Sequence, residues 1–152
     1  MALPNIFEVS NCDDLISRIN LLKADTKPLW GKMSVDQMLC HCSLAFEQAL
    51  GRNDLRPGGF MRFVMKTFFK SSMINDVPYK RNLPTAPFFI VADSKVFEDE
   101  RKRLIGSMQE FSKLGVDHFD NLEQATLGEL SSLEWSNLMY KHIDHHLRQF
   151  GV

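Results

Sequence analysis

The run Tyr140-Lys141-His142-Ile143-Asp144-His145-His146-Leu147-Arg148-Gln149-Phe150 constrains this chain most, because it holds three of the five histidines. A helix advances about 100° per residue, so His142 and His146 lie one turn apart and about 40° from each other around its axis. Trp135, Leu138, Met139, Ile143, Gln149 and Phe150 share their arc, whereas Asn137, Lys141, Asp144 and Arg148 fall on the other side. The two imidazoles are therefore expected to point inward. Burying their nitrogens without partners costs roughly 1 to 3 kcal/mol each. A shared metal ion is one way to satisfy them, since His-x-x-x-His on a helix gives two ligands to one ion. Hydrogen-bonded core histidines are the other.

A length of 152 residues fits one domain, 1–152, with a real core and no need of staples. Net charge is -1, so nothing marks the chain for nucleic acid or an anionic membrane. The longest apolar-rich stretch, Phe60 to Met73, is interrupted by Arg62, Lys66 and Lys70, and no segment reads as a bilayer span. Cys12, Cys40 and Cys42 form no disulfide framework and no apolar N-terminal run resembles a signal peptide, so the reducing cytoplasm is the expected compartment. Within a helix, Cys40 and Cys42 project about 160° apart, and at most one of them sits beside His41.

Helix signals recur along the chain. Ser10 or Asn11 offers an N-cap to a helix from about Asp13 to Lys23, with Leu15, Ile16, Ile19 and Leu22 as its buried face. Ser34-Val35-Asp36-Gln37 is a capping box, and the helix it starts should stop at Gly51. On that helix His41 shares a face with Gln37, Met38, Leu44, Ala45 and Gln48, which makes Gln37 and Gln48 candidate pocket amides. Phe60 to Lys70 reads as a shorter helix whose Phe and Met stripe is core or a pocket lid.

Residues 71–92, with Pro78, Pro84 and Pro87, read as a long irregular connection of the kind that often serves as a lid. Lys80 and Arg81 within it are candidates to meet an anionic substrate, solvated loop charges being the commoner role. Asp93 or Ser94 is the expected cap of a helix ending near Leu114-Gly115, which leaves His118 in a loop outside any site. Ser131-Ser132-Leu133-Glu134 is a second capping box and launches the last helix, ending at Gly151.

Four main helices with one long crossover fit an all-α antiparallel bundle, an architecture that builds metal sites from side chains on facing helices. His41 in the second helix and His142-Ile143-Asp144-His145-His146-Leu147-Arg148-Gln149 in the last resemble the DinB-like superfamily of four-helix metalloproteins, which includes thiol transferases. Ser34 to His41, Trp135 and Lys141 to Val152 resemble a branch of it labelled as a domain of unknown function. The anchors lie near the two ends of the chain, and the rest matches in length and helix order.

The resemblance implies an up-down-down-up bundle, here with an extra short helix, and a divalent metal held by His41, His142 and His146. It makes His145 and Gln149 neighbours of the metal site, and it suggests a homodimer. Zinc or nickel is the expected ion, with manganese or iron as alternatives, because a histidine-only site selects weakly. The expected activity is a metal-dependent transferase or hydrolase acting on a small molecule, with a low-molecular-weight thiol as a candidate substrate. The alternative is a non-catalytic metal- or ligand-binding helical module of stress response. No catalytic residue is assigned, since Glu47 projects away from His41.

Overall fold

Local signals start and stop the two helices that carry the histidines. In the computed structural model, which describes all 152 residues, α2 spans Val35–Ala49 behind the Ser34/Gln37 capping box, and Gln37 Oε1 accepts from the Ser34 amide at 3.1 Å. The final helix, α6, spans Ser132–Gln149 behind the Ser131/Glu134 box. Gly51 and Gly151 follow these helices with φ of 70° and 78°, a left-handed conformation that glycine adopts without strain. Between α2 and α6 lie α3 (Gly59–Val64), a π-helical segment (Met65–Phe69), α4 (Lys70–Ile74) and α5 (Phe97–Phe119). The first helix, α1, is Val9–Leu21.

The protein is mostly helical, with one small sheet. The helices α1, α2, α5 and α6 supply most of the buried apolar side chains, and α2 packs most extensively against α5. Their shared core contains an aromatic cluster. Phe111 lies 4.2 Å from Phe119, 5.2 Å from Phe7 and 5.5 Å from Phe46 between ring centroids, and Trp135 closes the cluster. Offset and edge contacts of this kind add to the stabilisation from area burial. No helix is long and apolar enough to cross a membrane.

Several expected boundaries move, each for a tertiary reason. The first helix begins at Val9, ahead of Ser10 and Asn11, because Ile6 is buried and its amide donates to Ser136 Oγ at 3.0 Å, docking the lead-in on α6. The fifth helix is preceded by Val96 rather than capped by Asp93 or Ser94: the Lys95 amide donates to Asp36 Oδ2 at 2.7 Å, which ties the approach to α2. At Gly115, φ is 75° and the helix is broken. One further turn then buries Phe119 and leaves His118 exposed.

An all-α chain was expected, but β1 (Leu122–Gln124) and β2 (Gly128–Leu130) pair antiparallel, Glu123 opposite Glu129. Gln124 is buried in this hairpin, and its Oε1 accepts the amides of Thr126 and Leu127, both at 2.7 Å. The Phe and Met stripe is not core: no residue of α3, the π segment or α4 is buried, and Phe60, Phe63 and Phe68 are exposed. The helical stretch also runs on to Ile74, past the expected end at Lys70.

The supposedly outward side of α6 is covered as well. Lys141 is buried and donates to Ser72 O, Asn75 O and Asn75 Oδ1 at 2.7, 3.0 and 2.8 Å, and Asp144 is buried between Arg18 and Arg148. Burial lowers the Lys141 ammonium to a pKa of about 8.

Candidate metal centre

Helix α2 brings His41, and α6 brings His142 and His146, to one point. One nitrogen of each ring can be chosen so that all three lie within 4.8 Å of one another. His41 Nε2 and His142 Nε2 are 2.9 Å apart, and the ring centroids of His41 and His146 are 4.8 Å apart. His41 and His146 are buried, while His142 reaches the surface in part.

The outer nitrogens decide which way the lone pairs face. His41 Nδ1 is 3.0 Å from the carbonyl oxygen of Phe89, which can only accept, so Nδ1 carries the proton and Nε2 presents a lone pair to its partners. His146 Nδ1 is 2.8 Å from Gln149 Oε1. The orientation of that amide follows from its other end, where Gln149 Nε2 donates to Trp30 O at 2.9 Å. His146 is thereby an Nδ1–H donor as well, with Nε2 unprotonated. A carbonyl behind each of these two rings holds it in one tautomer and one orientation, which is how ligating histidines are commonly supported.

All three rings are held neutral. Burial lowers the pKa of His41, with the Phe89 carbonyl opposing it. For His146, burial and the neighbouring His41 lower the value to about 3. His142 is depressed well below the ordinary imidazole value, first by burial and then by the adjacent histidines. Neutral imidazole is the form that binds a metal ion, so the donor set fits a divalent cation chemically.

The other residues singled out in the sequence divide. Gln149 is in contact with His146, as described. His145 is 5.3 Å from His146 between ring centroids and packs its edges against Trp30 and Tyr79, each at 5.8 Å. Gln37 and Gln48 share His41's face of α2 but turn their amides elsewhere. Gln37 bonds the Ser34 amide and Ala92 O, and Gln48 bonds Leu55 O and Gln124, because a capping box and a buried hairpin need those groups. Cys40 approaches Arg103 Nη1 at 3.7 Å, Cys42 approaches Met38 Sδ at 3.8 Å, and neither joins the histidines. His118 makes an edge contact with Phe119, away from the three.

Three positions at the site escaped sequence reasoning. Phe89 and Trp30 act through backbone carbonyls, which leave no mark in side-chain chemistry. Gly31 has φ of 81°, and a Cβ there would lie 2.5 Å from Gln149 Nε2, so only glycine lets the Gln149 amide sit where it does. Gly31 and Gln149 lie far apart in the chain, so nothing local in the sequence marks their contact.

A family model described as "Protein of unknown function (DUF1569)" matches residues 3–151. No curated protein and no solved structure matches the chain.

Proposed function

The chain belongs to the DUF1569 family, and on that premise we propose that His41, His142 and His146 hold one divalent metal ion, zinc or nickel first and manganese or iron next. The observation that carries this reading is the pair of carbonyl-oriented rings, His41 on Phe89 O and His146 on Gln149 Oε1, which leaves two Nε2 lone pairs beside His142. Three protein ligands leave positions open to a substrate, which is the arrangement of catalytic rather than structural sites. The long helices α1, α2, α5 and α6 support a single-domain, up-down-down-up bundle of the DinB-like kind.

A divalent ion bound there supplies Lewis acidity, lowering the pKa of a thiol or water brought to it. The carboxylates of α2 and α6 are all engaged: Asp36 accepts from Lys95, Glu47 pairs with Arg103, Glu134 caps α6, and Asp144 pairs with Arg18 and Arg148. With no free carboxylate there to act as general acid or base, hydrolysis would rest on the ion lowering a bound water's pKa to about 7, whereas a coordinated thiol would be deprotonated outright, its proton passing to solvent. This favours a thiol-dependent transferase acting on a small molecule over a hydrolase. The same engagement of the carboxylates supports the second reading, a non-catalytic metal-binding module.

Elemental analysis of the untagged protein beside its His41→Ala variant tests the site. About one ion per chain, lost in the variant, is the expected result. A protein that is metal-free and takes up neither zinc nor nickel would remove the enzyme reading altogether. With metal present, turnover of an electrophile with low-molecular-weight thiols separates the transferase from the non-catalytic module.

A further inference from the structure

Helix α6 presents a second stripe beside the histidines. Lys141, Asp144, His145 and Arg148 follow i, i+3, i+4, i+7 spacing, and they form one wall of a cavity of about 170 Å³. The opposite wall comes from two loops, through Leu29 and Trp30 and through Pro78, Tyr79 and Arg81. His145 separates this cavity from His146.

The cavity carries an excess of positive charge. Asp144 is shared by two arginines, Arg18 at 2.8 Å and Arg148 at 2.5 Å. Lys141 is buried, yet every group its ammonium bonds is a neutral oxygen, and its Nζ lies over the Tyr79 ring, 4.6 Å from the centroid. The neighbouring carboxylate, Asp76, pairs with the N-terminal amine at 3.5 Å. Arg81 lies over the Trp30 ring at 4.3 Å and joins none of the ion pairs of the chain. Arg81 is exposed and has no acidic partner, and Lys141 is buried among neutral oxygens, so a bound anion would supply the counter-charge that both lack.

We propose that this cavity binds a small organic carboxylate, its anionic end on Arg81 and in the field of the Lys141 charge, its apolar body against Trp30 and Tyr79. The planar guanidinium matches a planar carboxylate. Indole, phenol, Leu29 and Pro78 offer contact to a ring or short chain, which a bare phosphate would not use. The volume is close to the roughly 150 Å³ of a cavity known to hold one benzene ring. Binding here is independent of the metal reading, since none of the three clustered histidines lines the cavity.

The test is a titration of the ¹⁵N-labelled full chain with sodium benzoate, read on its two indole N–H signals and repeated after exhaustive chelation. Trp30 lines the cavity and Trp135 does not. We expect the Trp30 signal to move saturably, with the Trp135 signal still, at a Kd on the order of a millimolar. Chelation should leave this unchanged, and Arg81→Ala, an exposed position, should weaken it about tenfold, as one lost charge-assisted contact implies. Neutral benzamide and inorganic phosphate should each bind at least tenfold more weakly. No Trp30 response, equal binding of benzamide or phosphate, unchanged affinity in Arg81→Ala, or loss of binding on chelation would each overturn the proposal. The last of these would assign benzoate to the metal instead.

Discussion

Gln149 holds His146 from behind: its Oε1 accepts the Nδ1 proton at 2.8 Å, while its Nε2 is anchored on Trp30 O at 2.9 Å. The amide thus links the backbone of Trp30 to the imidazole. Gln149→Leu removes the acceptor and frees the ring to change tautomer. Metal affinity, measured by competition with a chromophoric chelator, should fall by about 10- to 100-fold. An affinity equal to wild type would show that the link does not orient the ring.

Gly31→Ala attacks the same link from the other side. At φ of 81° any side chain is strained, and its Cβ would lie 2.5 Å from Gln149 Nε2. We expect a stability loss of about 1 to 3 kcal/mol in urea titration, together with weakened metal binding. Unchanged affinity at reduced stability would mean that Gln149 accommodates the methyl group without releasing His146.

His146→Ala should abolish metal binding, while His118→Ala, at an exposed ring set edge-on to Phe119, should leave one ion per chain. Stoichiometry by elemental analysis of both variants decides this. An ion retained in His146→Ala would sink the assignment of the three ligands.

Acid should destabilise the metal-free protein through the same histidines. Their folded pKa values lie below the ordinary 6.5, with His146 at about 3. Above 6.5 neither state binds protons at these rings, so no penalty exists. As pH falls through 6.5 the unfolded chain takes up protons that the native chain refuses, and stability drops until the folded pKa is reached. The cost approaches about 1.4 kcal/mol per pH unit for each histidine in that window. Urea midpoints at about pH 7 and about pH 5 should differ accordingly, and the difference should shrink in His146→Leu. An identical pH dependence in that variant would exclude His146 as a source.

Lys141→Met should loosen the connection after α4 more than the helical core. The substitution keeps the aliphatic stem but leaves Ser72 O, Asn75 O and Asn75 Oδ1 without their donor. Unsatisfied acceptors cost about 1 to 3 kcal/mol each unless water reaches them. Hydrogen exchange should therefore accelerate over 72–79 while α2 and α6 keep their protection. Uniform acceleration would instead make Lys141 part of the global core.

The two histidine-bearing helices were readable because their determinants are local. Ser34 with Gln37, Ser131 with Glu134, and the glycines at 51 and 151 each act within one turn of the element they bound. The inward arc of His142 and His146 follows from helical periodicity alone. The hairpin was hidden because strands of three residues carry too few side chains for an alternation, and its stability comes from buried Gln124. Lys141 read as outward because the loop that covers it is distant in sequence.

By itself, the sequence determined where α2 and α6 begin and end and which faces carry His41, His142 and His146, since capping and periodicity are short-range. Only the tertiary structure decided that Phe89 O, Trp30 O and Gly31 set the ring orientations. It alone decided too that Gln37 and Gln48 turn away and that a cationic cavity opens behind His145. These relations join residues far apart in the chain through backbone atoms and empty space, and neither a residue's type nor its spacing encodes them.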